Sequence, residues 1–231
     1  MHDIPWNVDR RYCPVHQVQT NALYPSFRDL PKITLKLEQN MCTIIKMSTE
    51  SLRQDHALIE KVLKAMWATI PLLQNGTTIP EPIISQVIDF TKNFTDLCHH
   101  GKEEGSLFPE LEKKGMSKES GPIAIMLMEH ALTRKLAARM EESAKTYVTT
   151  GNATQLITDM QEYINHLIQH IWKENNRLFE MAEMALRNDV ERINTELSNV
   201  ESEKLKELGK TREAYEKLAE DLSKQFPLKE G

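Results

Sequence analysis

What most constrains the fold of this chain is a ten-residue pattern that occurs twice. His99-His100-Gly101-Lys102-Glu103-Glu104-Gly105-Ser106-Leu107-Phe108 is echoed 71 residues later by His170-Ile171-Trp172-Lys173-Glu174-Asn175-Asn176-Arg177-Leu178-Phe179. Each copy has His first, Lys three on, Glu four on, and Leu-Phe eight and nine on. Residues four apart share one face of a helix, so each copy presents an imidazole beside a carboxylate and continues into an apolar stripe. A lone histidine precedes each copy: His56 lies 43 residues before His99, and His130 lies 40 residues before His170. Four histidines on four helices, with two correctly phased glutamates, are the donor set of a pair of transition-metal ions in a bundle core. Without a cation, burying so many ionisable groups would cost on the order of several kcal/mol each.

The spacing selects His99 with Glu103, which keeps the phase of His170 with Glu174; His100 with Glu104 would be rotated by about 100°. His100 and Glu104 are therefore expected outside the donor set or at the surface. The expected ligands are His56, His99, Glu103, His130, His170 and Glu174. Around them, Glu60 and Arg134 each follow a histidine by one turn. Glu60 is a candidate to orient the His56 ring, and Arg134 to pair with a ligand carboxylate or reach solvent. His166 precedes His170 by one turn and is a fifth imidazole, expected beside the donors or at solvent. Tyr163 is a candidate phenol donor or a packing residue.

These stretches, together with Asp55-His56, Met128-Glu129-His130 and the Leu-Phe pairs, resemble the hemerythrin-like (HHE cation-binding) family over roughly residues 48–186. The resemblance implies a non-haem di-iron centre bridged by Glu103 and Glu174, with His56 and His99 on one iron and His130 and His170 on the other. The oxygen-carrying members have a fifth histidine where this chain has Arg134, and an aspartate where it has Asn175. The chain therefore resembles the four-His, two-Glu branch, which includes di-iron proteins of nitrosative stress and iron–sulfur repair. The ferritin-like alternative needs Glu three residues before His, and none of the four histidines has one.

Eight glycines, few aromatics and abundant Leu, Ile, Met, Lys and Glu predict an all-α protein. The expected architecture is an up-down antiparallel four-helix bundle over 48–186. An irregular N-terminal extension, 1–47, contains Pro5, Pro14, Pro25 and Pro31, and Met47 reads as the natural start. Residues 187–231 form a charged C-terminal appendage of amphipathic helices, broken at Gly209, that lies across the bundle or pairs with a second copy of the chain. Ser48 or Thr49 is the expected cap of the first helix, Ile70-Pro71 its end, and Pro109 the end or bend of the second.

A net charge of −5 gives no electrostatic support for a nucleic-acid or anionic-membrane partner. Three cysteines without a C-x-x-C pair, and the lack of a signal-peptide pattern, predict a reducing, cytoplasmic location. The functional expectation is a di-iron protein that binds and reacts with dioxygen, nitric oxide or hydrogen peroxide, drawing electrons from an external donor. Two alternatives are a sensing module acting through its C-terminal helices and an iron donor for iron–sulfur repair, for which the thiol of Cys98 is minor support.

Overall fold

The computed structural model describes residues 47–228, which are helical with no β-strand among them. The expectations for residues 1–46 lie outside the described residues. No helix among the described residues is long and apolar enough to cross a membrane.

Helix α1, Glu50–Gln74, follows Thr49 as expected, but the Thr49 hydroxyl donates to Glu183 instead of capping the helix. The helix also runs through Pro71. A proline this close to a C-terminus removes one hydrogen bond, and the Asn75 amide returns to the Pro71 carbonyl at 3.1 Å before Gly76, with φ 76°, turns the chain.

The next rod is α2, Glu81–Asp89, then π-helical stretches Phe90–His100 and Glu103–Leu107, then α3, Phe108–Lys113. The backbone stays right-handed helical at each junction, so Pro109 neither ends nor sharply redirects the rod. It falls where the wide i→i+5 pattern reverts to i→i+4, a position that leaves an amide without an α-helical partner. Helix α4 is Gly121–Thr150, closed by Gly151 at φ 75°. Helix α5, Thr154–Lys173, leads through a π-turn, Glu174–Leu178, into α6, Phe179–Ala185. The sequence repeat is thus a structural repeat: each glutamate opens a five-residue π-turn that ends on Leu, and each Phe opens an α-helix.

Helix α4 packs along α5, and α1 packs on both α5 and the C-terminal helix α8, Arg212–Gln225. Helix α7, Val190–Leu208, lies on the π-helical stretches, and Gly209, at φ 61°, separates it from α8. The C-terminal helices bury Ile193, Leu197, Leu205, Tyr215, Ala219 and Leu222 against the rest of the chain. Both Leu-Phe pairs of the repeat share one apolar cluster with Leu52, Ile123, Met126 and Ile193.

Helix α7 is also tied down electrostatically. Arg192 donates to Glu110 at 2.6 Å, and with Lys113 it holds that carboxyl at about 2, below the ordinary 4.5. A depressed carboxyl stabilises the fold above its unfolded pKa, and that contribution is lost as pH falls through its folded value. Glu110→Gln is therefore expected to lose less stability than the parent chain between pH 5 and pH 2, read as thermal midpoints; equal losses would show that the pair contributes nothing.

Candidate metal centre

The six expected ligands converge. One group comprises His56, His99, Glu103 and Glu174, and a second comprises Glu103, His130, His170 and Glu174; within each, the donor atoms lie within 4.8 Å of one another. All six residues are buried, none more than 1% exposed. Glu174 lies 3.0 Å from His56 Nε2, 3.1 Å from His170 Nε2 and 3.6 Å from His130 Nε2. Glu103 lies 3.3 Å from His130 Nε2 and 4.0 Å from His99 Nε2.

Each ring is fixed from behind through Nδ1. The partners are Asn175 Oδ1 for His56 at 2.9 Å, Asp55 for His99 at 3.3 Å, Glu104 for His130 at 2.7 Å and Glu129 for His170 at 3.0 Å. A carboxylate, or the amide oxygen of Asn175, can only accept, so Nδ1 carries the hydrogen and a neutral ring turns a bare Nε2 lone pair inward. These partners follow the twofold pattern of the ligands. Asp55 precedes His56 and Glu129 precedes His130, yet each holds the histidine of the adjacent repeat copy. Glu104 follows Glu103 and Asn175 follows Glu174, yet each holds a lone histidine. Phe179 stacks on His56 at 5.3 Å and Phe108 on His130 at 5.7 Å, extending the symmetry to the end of the repeat.

The inward atoms fit a cation. Nε2 of His130 and His170 and both oxygens of Glu103 and Glu174 are buried without a hydrogen-bond partner, and Nε2 of His56 faces Nε2 of His99 at 3.0 Å. Unpaired buried acceptors are costly, and two lone pairs at that separation repel unless a positive charge lies between them. The carboxylates that would draw in a cation also favour a proton on these rings when no metal ion is bound. Burial pulls the His130 imidazole down, but Glu103, Glu104 and Glu174 outweigh it and hold it well above the ordinary range. Burial likewise opposes charge on His170, which Glu174 and Glu129 raise to about 9. Burial would raise Glu174, but His170, His130 and His56 hold it well below the ordinary range. Imidazole and carboxylate without thiolate suit iron among the redox metals.

The other residues singled out by spacing are placed differently. Glu60 lies near Lys64, 3.9 Å away and toward solvent, while Asn175 holds the His56 ring in its stead. Arg134 reaches Asp96 and Glu104, each at 2.8 Å, and so backs the partner of His130, not a member of either donor group. His166 Nε2 bonds the Glu129 carbonyl and Thr133 hydroxyl at 3.1 and 3.0 Å. Tyr163 is fully buried beside Thr95. Cys98 is 1% exposed, and burial, with Glu201 and Asp55, pushes its thiol up to about 12, so it is not a reactive thiolate.

Of the two places that spacing leaves open for His100, outside the donor set or at the surface, the surface is not the one it takes. It is fully buried, its ring stacks on His130 at 3.9 Å, and Nδ1 bonds Asp96 at 3.1 Å. A π-helix turns successive residues by less than the α-helical 100°, which lets neighbouring His99 and His100 both face inward. The near-parallel rings of His100 and His130, 11° apart, do not aim two in-plane lone pairs at one point. His100 nevertheless forms a third, all-imidazole group with His130 and His170, their ring nitrogens within 4.8 Å of one another, so it closes the His130 side of the centre within reach of an ion.

A family model described as the hemerythrin HHE cation binding domain matches residues 47–182. Among curated proteins, the chain is 29% identical over 109 residues to the iron-sulfur cluster repair protein YtfE of Yersinia pseudotuberculosis serotype IB (strain PB1/+), covering 46% of this chain and 48% of that protein. The same protein of Yersinia pestis (strain Pestoides F) matches with the same identity and coverage. The chain thus spans about half the length of the curated relatives it matches. No solved structure matches it.

Proposed function

The chain belongs to the hemerythrin HHE cation-binding family, a family of iron-binding domains, and from that premise we propose that it is a non-haem di-iron protein that binds and reacts with dioxygen, nitric oxide or hydrogen peroxide. In this reading α1, the rod from α2 to α3, α4 and the rod from α5 to α6 form an up-down four-helix bundle over residues 48–186. His56, His99, Glu103, His130, His170 and Glu174 are its ligands, and residues 187–231 are an appendage. The observation that carries the reading is that all four imidazoles are pinned at Nδ1 and turn Nε2 toward the same two glutamates.

Glu103 and Glu174 belong to both donor groups and so serve as the shared carboxylates. Asp55, Glu104, Glu129 and Asn175 fix ring orientation and tautomer, raising the donor strength of each Nε2. Burial of all six side chains keeps bulk water out. Bound iron would supply Lewis acidity, exchangeable electrons and coordination positions for a small ligand. Electrons from a separate donor would have to cross the helical shell, for the site itself contains no thiolate.

The test is anaerobic mixing of the reduced, iron-loaded protein with each of the three ligands. A new charge-transfer band is expected with at least one, and no change with any would refute the reading. A second role, iron donation in repair of iron–sulfur centres, is favoured by the names of the relatives. It requires that iron pass from the loaded chain to an apo iron–sulfur protein under reducing conditions.

A further inference from the structure

The centre is twofold in its ligands and in the residues behind them, but not in what lies behind those. Lys102 and Lys173 occupy the same place in the repeat, and each pairs with the carboxylate that holds its own copy's histidine: Lys102 with Asp55, and Lys173 with Glu129. Lys173 is 35% exposed, whereas Lys102 is 1% exposed. The difference comes from α7 and α8. Lys102 Nζ lies 2.6 Å from Asp55 and 2.6 Å from Glu201 of α7. Arg212 of α8 closes the circuit, 2.9 Å from Asp55 and 2.9 Å from Glu201.

Two carboxylates and two cations therefore alternate in a closed ring, and one of them, Asp55, also accepts from His99 Nδ1. A charged group so deeply buried holds its position only while its partners do. On the other half, Glu104 and Glu129 are 30% and 16% exposed and are paired with Arg134 of α4 and Lys173 of α5, helices that already carry the histidines. Water can replace those cations more readily than it can replace Lys102 and Arg212. Arg212 also lines an open cleft between α1 and α8 with Gln54, Lys61 and Glu216, so α8 can be approached from solvent.

We propose that α7 and α8 act as a clamp on one half of the centre. Through Glu201 and Arg212 they hold Asp55, through Asp55 they orient His99, and so they control how long the ion on the His56–His99 side is retained. The His130–His170 side has no such tether. The clamp rests on the two-ion reading above and adds to it which ion depends on the C-terminal helices for its retention. Glu201, Arg212 and Lys102 are positioning residues, since none of them belongs to either donor group.

The experiment uses the full chain loaded with iron and challenged with a ferrous-iron chelator under anaerobic, reducing conditions. Arg212→Met is expected to speed the loss of one iron per chain by up to about 10-fold, the lower end of what removing an outer partner of a ligand histidine costs, since Arg212 acts one contact further out through Asp55. The second iron should leave at the parent rate. Arg212→Lys, which keeps the charge, should restore most of the retention, and Glu201→Gln should act in the same direction as Arg212→Met. Circular dichroism of each variant separates this from a general loss of fold. Unchanged loss of both ions, or equal acceleration of both in a folded variant, would overturn the clamp while leaving the centre in place. A parent chain that takes up no iron would overturn the centre, and the clamp with it.

Discussion

Glu174→Ala is expected to strip iron from both halves of the centre, lowering bound metal at least about tenfold, the lower end of what loss of a directly supporting group costs. Glu174 is within 3.6 Å of the inward nitrogens of His56, His130 and His170. It also belongs to both donor groups, so no single histidine substitution reaches as far. The alanine removes one of two buried negative charges that draw cations into the core. Glu174→Gln, which keeps the volume and one oxygen donor but not the charge, should fall between alanine and the parent. Metal analysis of the three purified proteins, with the optical spectrum, decides the matter. Parent-level iron in the alanine variant would mean that Glu174 is no ligand.

Removing the metal from the parent chain should destabilise it strongly. The free chain must keep the inward atoms of His130, His170, Glu103 and Glu174 buried without a hydrogen-bond partner, and must hold His56 Nε2 against His99 Nε2 at 3.0 Å. An ion at a thousandfold excess over its dissociation constant stabilises the folded state by about 4 kcal/mol. For a chain of this size about 1 kcal/mol corresponds to roughly 2–4 °C in thermal midpoint. The chelated protein should therefore melt roughly 8–16 °C below the loaded one, and iron added back should restore the midpoint. A difference of less than about 2 °C would indicate that the inward groups are satisfied by some other means.

Much of this was readable before any coordinates. The breaks at Gly76, Gly151 and Gly209 appear where turn residues mark them, and each has the positive φ that glycine favours. The six expected ligands meet because His-x-x-x-Glu on a helix leaves little freedom in which face it presents. What spacing concealed lies between helices. Asp55, Glu104, Glu129 and Asn175 are each the neighbour in sequence of an expected ligand, and a helical neighbour points about 100° aside. That direction is where the facing helix stands, so each neighbour serves a histidine on another rod. Glu60 illustrates the converse: one turn from His56, it shares that residue's strip of helix but lies toward solvent near Lys64. The π-turns were hidden as well, because the apolar pattern of Leu107-Phe108 and Leu178-Phe179 is compatible with ordinary α-helix. Without them His100 would face away from His130, and Pro109 would break the rod. The coupling of Asp55 to Arg212 spans 157 residues and leaves no periodic trace.

The crossed pairing of neighbours and histidines has a consequence for assembly. If one rod slid along its neighbours by a single turn, about 5.4 Å, its histidine would lose a partner on one neighbouring rod, and its own Asp55, Glu104, Glu129 or Asn175 would abandon a ring on another. An error in the alignment of one rod is thereby felt on two rods at once. Metal capture would then act as proofreading of helix register, rewarding only the arrangement in which every rod is correctly aligned.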